Sequence, residues 1–353
     1  MPDRAGRLAD LVAESELDLL LVSELTNVRY LSGFGGTNGV CLVGPGRKVF
    51  LTDFRYTERA AAEIDGWQIE IVEGDWLAGV AAFLEGRVGI EDDHVTVRTA
   101  GKLASAAGDV AELVDAGGKV ETLRRVKEPA EIEAITAAAR LTDRIYLEAA
   151  ERGLAGRTEA EISDFVVGRF REEGAEPSFP PIVASGPNGA SPHAEPGDRV
   201  VGSNELVTID MGAVLDGYCS DCTRTFATGE LDSRSAEIYE VTLEANLAGL
   251  ATVRPGAIGA DVDKAARDVI SDAGYGENFG HGLGHGVGLE VHEGPRLGMR
   301  SDDVLAPGEV VTVEPGIYIS GFTGLRIEDL VVVGEDGIAS NLSTVPKTLT
   351  IVG

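Results

Sequence analysis

Residues 209–225, IDMGAVLDGYCSDCTRT, leave the chain few ways to fold. Asp216-Gly217 suits a two-residue type I′ hairpin, whose two central positions both need positive φ. An apolar, β-prone run at 206–211 precedes it, and an alternating run at 218–226 follows. With Asp216 and Gly217 as the loop, Leu215 pairs with Tyr218, Gly212 faces Asp221, and Asp210 faces Thr223. Side chains alternate along a strand, so Asp210 and Asp221 share a face as diagonal neighbours, roughly 7–8 Å apart at the backbone. Two carboxylates converging from there repel unless a cation lies between them. Taken alone, the stretch can also be read as two solvated surface aspartates.

At 353 residues with 43% apolar side chains, the chain can bury a sizeable core and has room for two or three domains. No apolar run approaches the roughly 20 residues of a membrane span, and residues 1–18 lack a charged-then-apolar signal pattern. Cys41, Cys219 and Cys222 do not suggest a disulfide framework. These features predict a soluble, cytoplasmic protein. The net charge of −29 is carried by acidic residues dispersed along the chain, with only Lys48, Lys102, Lys119, Lys127, Lys264 and Lys347 as lysines. Such a surface predicts adaptation to very high salt, where ions screen the self-repulsion. The alternative is a binder of basic partners such as histones. Nucleic acid is a poor partner for it.

The chain reads as two domains, 1–122 and 123–353. The first alternates helices (4–16, 55–64, 76–84, 99–107) with strands (17–23, 40–43, 49–52, 67–72, 88–91). Its glycine cluster SGFGGTNG, 32–39, lacks G-x-G-x-x-G spacing and lies between strands, so it reads as a loop. Pro129 opens a long helix, and a capping box from Thr158 to Glu161 opens a second that stops at Gly174. An irregular Pro/Gly-rich stretch at 177–197 holds His193. After the hairpin, 235–251 and 261–273 read as two more helices, so the order of elements suggests a duplicated unit.

Two more clusters carry chemistry. In FGHGLGHGVGLEVHEGP, 279–295, His281 and His285 have zinc-helix spacing, but glycine at 280, 282, 284, 286 and 288 makes a helix implausible. Extended or looped backbone fits better, with His292 close by. In VVTVEPGIYISGFTGLRIEDLVVV, 310–333, a hairpin folded about Gly321 sets Glu314 opposite Glu328, with Pro315 a candidate bulge. Asp210, Asp221, Glu314 and Glu328 would bring four negative charges together, and His285 adds a neutral nitrogen. Two divalent cations neutralise that set; oxygen-rich ligation with one imidazole suits manganese, cobalt or iron, with zinc a further candidate. Such a pair, about 3.5–4 Å apart, activates water, which predicts a hydrolase. Cys219 and Cys222 stand an odd number apart on a strand and face opposite sides, which argues against a zinc site. Tyr218 and Thr223 are expected around the acidic cluster.

The order Asp210, Asp221, His285, Glu314, Glu328, in the spellings IDMG, SDCTRT, HGLGH, TVEPGIY and LRIED, resembles the pita-bread (creatinase/methionine aminopeptidase-like) metallopeptidases. Within them it looks most like the Xaa-Pro dipeptidases (prolidases) and aminopeptidase P. The resemblance implies an α/β (α+β) chain: a creatinase-type N-terminal domain, then a pita-bread catalytic domain, in a homodimer. It implies that Asp210, Asp221, His285, Glu314 and Glu328 hold two metals, with Asp221 and Glu328 bridging. A metal-bridging hydroxide would attack the carbonyl before proline in a short peptide, with Glu314 also the proton shuttle. His193 and His292 would contact substrate and stabilise the tetrahedral intermediate, and Arg326 would orient ligand carboxylates. Arg296 and Arg300 both fit as the reader of a dipeptide's carboxylate. His281 would be structural. A dipeptidase is expected; the alternatives are an aminopeptidase P on longer peptides, a hydrolase of a non-peptide amide such as a compatible solute, or a silent scaffold.

Overall fold

Strand β1 (Leu19–Val22) is buried along its whole length, as a central strand covered on both faces requires. The computed structural model describes residues 3–352 and divides into two units, 1–124 and 125–353. In the first, α1 (Arg4–Glu14) precedes β1 and α2 (Leu25–Ser32) follows it. Then come β2 (Val40–Gly44), β3 (Arg47–Thr52), α3 (Thr57–Glu63), β4 (Gln68–Ile71) and α4 (Trp76–Ala81). The series ends with β5 (Gly86–Ile90), α5 (Val97–Ala107), β6 (Ala111–Asp115) and α6 (Lys119–Arg125). The strands form one mixed sheet in the order β4-β3-β2-β1-β5-β6.

The glycine cluster connects α2 to β2, but α2 itself departs from the sequence reading. Its N-cap is Glu24, whose carboxylate accepts the Asn27 N–H at 2.8 Å, instead of one of the short polar residues that announce a helix start. Gly33, at φ +79°, closes it. Strand β6 also escaped notice, because it is a half-exposed edge paired in parallel with β5 and needs no clean alternation.

In the second unit, α7 (Pro129–Arg152) starts with proline in its first turn and a Glu128/Glu131 capping box. Helix α8 (Glu159–Glu172) starts with the expected Thr158/Glu161 box. Strands β7 (Glu176–Pro177), β8 (Ile182–Ser185), β9 (Leu206–Met211), β10 (Ala213–Leu215), β11 (Tyr218–Cys219) and β12 (Cys222–Ala227) follow. After α9 (Ser233–Thr252) and α10 (Gly259–Asp272) come β13 (Gly284–Gly286), β14 (Glu293–Leu297) and β15 (Val310–Val313). The last strands are β16 (Gly316–Ile319), β17 (Thr323–Arg326), β18 (Asp329–Val332) and β19 (Ser340–Asn341). Helix pair and strands therefore occur twice. The first pair packs its Ile145, Val166 and Phe170 on Val207, Ile209 and Phe226; the second packs Ile238, Val262 and Ile270 on Val311, Val313 and Leu325.

Both hairpins take the register that their turns dictate. Leu215 pairs with Tyr218 and Asp210 with Thr223, across Asp216 (φ +49°) and Gly217 (φ +81°). In the second hairpin Ile319 pairs with Thr323, Gly316 with Arg326, and Val313 with Asp329, so the count carries across Pro315 without a slip. Pro315 has no N–H to give, and the ladder breaks there into β15/β18 and β16/β17. Glu314 and Glu328 occupy the break.

Candidate metal centre

Five buried or half-buried side chains meet where these strands converge. Asp210 comes from β9, Asp221 from the turn into β12, His285 from β13, and Glu314 and Glu328 from the break in the second hairpin. Asp210, Asp221 and Glu328 each offer a carboxylate oxygen within one 4.8 Å cluster, and Asp221, His285 and His292 form another. Asp221 belongs to both. His285 Nε2 lies 3.6 Å from Asp221 Oδ2 and 3.2 Å from Glu314 Oε1. The Gly286 carbonyl, 3.1 Å from Nδ1, can only accept, so Nδ1 carries a proton and Nε2 is the nitrogen turned to the carboxylates. Glycine at 284 and 286 is required here: a Cβ at either would stand 2.0 Å from a main-chain oxygen, of Thr312 or Gly294.

The electrostatics demand positive charge. Burial, then the nearby Glu328, Asp210 and Glu314, push the Asp221 carboxyl well above the usual carboxylate range. Burial with Glu314 and Asp210 does the same to Glu328. Burial also raises Asp210, against the opposing pull of Arg326. For Glu314, burial is outweighed by His285 and Arg326, which hold its carboxyl at about 2. Arg326 donates from three nitrogens: to Asp210 Oδ2, to Thr223 Oγ1 at 2.9 Å and to the Tyr318 hydroxyl at 2.7 Å. The Thr223 hydroxyl donates in turn to Glu328 Oε2 at 2.8 Å. Asp210 Oδ1 and Glu328 Oε1 are buried without a hydrogen-bond partner. Acceptor atoms left bare in this way fit divalent cations bound by oxygen.

Two side chains near the site depart from expectation. Tyr318 was not anticipated: its hydroxyl accepts from Arg326 and lies 3.0 Å from His281 Nε2. His281 Nδ1 contacts the Gly282 carbonyl at 2.8 Å and so carries the proton, and burial lowers the ring's pKa; Tyr318 therefore donates to Nε2. A polar-tipped aromatic, on the same strand face as Glu314, was the available signal. Tyr218 was expected at the cluster, but its hydroxyl binds Glu131 at 3.0 Å and its ring packs near Ile132 and Val214. The helix α7 carboxylate draws it away, a tertiary contact that local spacing cannot show. The thiols of Cys219 and Cys222 face different carbonyls, of Leu289 and Glu328.

The cluster forms the floor of a cavity of about 570 Å³. Phe179, Pro181, Ile182 and Leu297 supply apolar wall, and His193, His292 and Arg296 supply polar groups. The His285 and His292 rings meet edge to face at 4.4 Å. Burial lowers the His292 pKa, helped by His285, Arg296 and His193. Arg300 is exposed and does not line this cavity.

The chain matches the model of metallopeptidase family M24 over residues 133–335 and that of the creatinase/prolidase N-terminal domain over 4–126. It belongs to the M24 metallopeptidases: a creatinase-type N-terminal domain followed by a pita-bread domain, with a metal-dependent peptidase activity. A solved Xaa-Pro dipeptidase from Bacillus anthracis superposes with a TM-score of 0.95 at 39% identity, covering 99% of each chain. An X-Pro aminopeptidase from Thermotoga maritima gives a TM-score of 0.90 at 35% identity, over 99% of this chain and 100% of the other. An Xaa-Pro dipeptidase from Pyrococcus furiosus is 32% identical over 96% of this chain and 97% of its own length. Among the described residues no helix is long and apolar enough to cross a membrane.

Proposed function

We propose that the protein hydrolyses the Xaa-Pro bond of a dipeptide with two divalent cations, Mn²⁺ or Co²⁺ being the best matches to an oxygen-rich site with one imidazole. The observation that carries this is the convergence of Asp210, Asp221, His285, Glu314 and Glu328 on one cavity, with Asp210 Oδ1 and Glu328 Oε1 buried and without a hydrogen-bond partner. Asp210, Asp221, His285, Glu314 and Glu328 would hold the metals. When bound, the metals supply the Lewis acidity that generates a nucleophile from water and polarises a carbonyl. The rest falls to the chain. Glu314, in the cavity lining, accepts a proton from the attacking water and returns it to the leaving prolyl nitrogen. His193 and His292 face the scissile carbonyl and donate to its oxygen as charge develops. Arg296, in the cavity wall, receives the C-terminal carboxylate. Arg326 holds Asp210 in place.

An aminopeptidase acting on longer peptides is the second reading, favoured by the likeness to the Thermotoga maritima enzyme. Metal-loaded protein in high salt should be given a proline-ended dipeptide and a tripeptide with proline second. Cleavage of the dipeptide alone supports the proposal. Efficient cleavage of the tripeptide replaces it with an aminopeptidase. Cleavage of neither, with two metals bound, points to a non-peptide amide. We also propose that the −29 charge is an adaptation to molar salt.

A further inference from the structure

His292 and Arg296 face the cavity at the two ends of a short segment, and that segment is weakly held by its own sheet. Strand β14 meets β13 through only Gly284↔Leu297, His285↔Arg296 and Gly286↔Glu293, with a register break between His285 and Gly286. His292 lies just before the strand begins. Something else must fix where these two side chains stand. The first residues of the second unit supply it.

Lys127 Nζ donates to Glu293 Oε1 at 2.6 Å, and both side chains are nearly inaccessible, 1% and 6% exposed. Glu293 is the residue after His292. At the far end, Arg125 donates to Asp303 Oδ1 at 2.7 Å, and the other oxygen of Asp303 accepts the main-chain N–H of Arg296 at 2.8 Å. Arg125 is itself held by Glu309 at 2.9 Å, and its stem lies against Gly294, where a Cβ would meet Arg125 Cδ at 3.4 Å. Lys127 Nζ also donates to the Arg125 carbonyl at 3.2 Å, which ties the two cations together. Burying a lysine and a glutamate costs several kcal/mol of desolvation and gives little stability beyond what an apolar pair would. Such pairs make sense where a fixed position matters.

We propose that Arg125 and Lys127 act as a clamp that sets the positions of His292 and Arg296, and so tunes recognition of the substrate's C-terminal end. Both are positioning residues, since neither lines the cavity. The inference rests on the reading that His292 and Arg296 meet substrate.

The test compares Lys127→Met, Lys127→Arg, Arg125→Met and Arg296→Met with the metal-loaded wild type. KM and kcat are measured on a proline-ended dipeptide and its C-terminal amide, and Mn²⁺ affinity by calorimetry. Lys127→Met and Arg125→Met should each raise KM for the free acid about tenfold and erase the preference for acid over amide. Mn²⁺ affinity should stay at the wild-type value, and Lys127→Arg should restore KM. A merely structural role would lower the melting temperature and leave the acid/amide ratio alone. Wild-type KM and ratio in both Met variants overturn the clamp. If Lys127→Met does not fold, Arg125→Met decides, because the Arg125 side chain is partly solvated and its buried partner Glu309 keeps the main-chain N–H of Ala306. A lost ratio in Arg296→Met beside an intact one in Arg125→Met overturns the clamp and leaves the carboxylate reading standing. An intact ratio in Arg296→Met overturns the carboxylate reading, and the clamp is then judged on KM.

Discussion

Tyr318 and Arg326 meet through a 2.7 Å hydrogen bond from guanidinium to phenol oxygen, across a hairpin whose register sets Gly316 opposite Arg326. The same hydroxyl binds His281, so the order Arg326, Tyr318, His281 forms a rigid brace behind the carboxylates. Tyr318→Phe removes the acceptor from a buried guanidinium nitrogen, which should cost about 1–3 kcal/mol of stability. Arg326 then holds Asp210 less firmly, and Mn²⁺ affinity should fall about tenfold, read by calorimetric titration. Unchanged affinity would mean that Arg326 is held by Asp210 and Thr223 alone.

Asp221 lies beside Asp210 and Glu328 and also reaches His285, so its loss should weaken the whole donor set. Asp221→Asn is expected to reduce turnover by at least about 100-fold while leaving the first unit folded, as judged by circular dichroism and limited proteolysis. Full activity in this variant would sink the two-metal reading.

Exhaustive chelation should inactivate the wild type, and Mn²⁺ or Co²⁺ should restore it. Activity that survives removal of metal, verified by elemental analysis, argues against any role for the ions.

The carboxyls of Asp221 and Glu328 are raised well above the ordinary range by burial and mutual repulsion. A carboxyl whose folded pKa exceeds its unfolded value adds stability at low pH, and that stability is lost as pH rises through the folded value. Metal-free protein should therefore melt at lower temperature as pH climbs above the ordinary carboxylate range. Metal uptake should release protons, seen as a dependence of the binding enthalpy on the buffer's ionisation enthalpy. A flat melting profile for metal-free protein would show that the carboxyls titrate normally.

The dispersed −29 charge should make stability salt-dependent. Lowering salt from about 1 M to about 0.1 M lengthens the screening distance from about 3 to about 10 Å, and the melting temperature should drop. No change would remove the high-salt reading.

Much of the carboxylate cluster was legible in the sequence because it hangs on two hairpins. A two-residue Asp-Gly turn and a turn centred on Gly321 each set a register by counting, and side-chain alternation then fixes which carboxylates share a face. That is how Asp210 and Asp221, and separately Glu314 and Glu328, came out as pairs. Helix starts with proline or a Thr/Glu capping box were equally plain, whereas α2, capped by Glu24, and the edge strand β6 were not. Tertiary structure decided the rest. It brought the two hairpins and His285 to one place, sent Tyr218 to Glu131, put Tyr318 behind Arg326, and set Arg296 rather than Arg300 in the cavity wall. It also paired Lys127 with Glu293, 166 positions away. The physical reason is range. Turns and alternation act over a few residues and leave a local trace, while partners in a buried hydrogen-bond network are chosen by packing between segments distant in sequence.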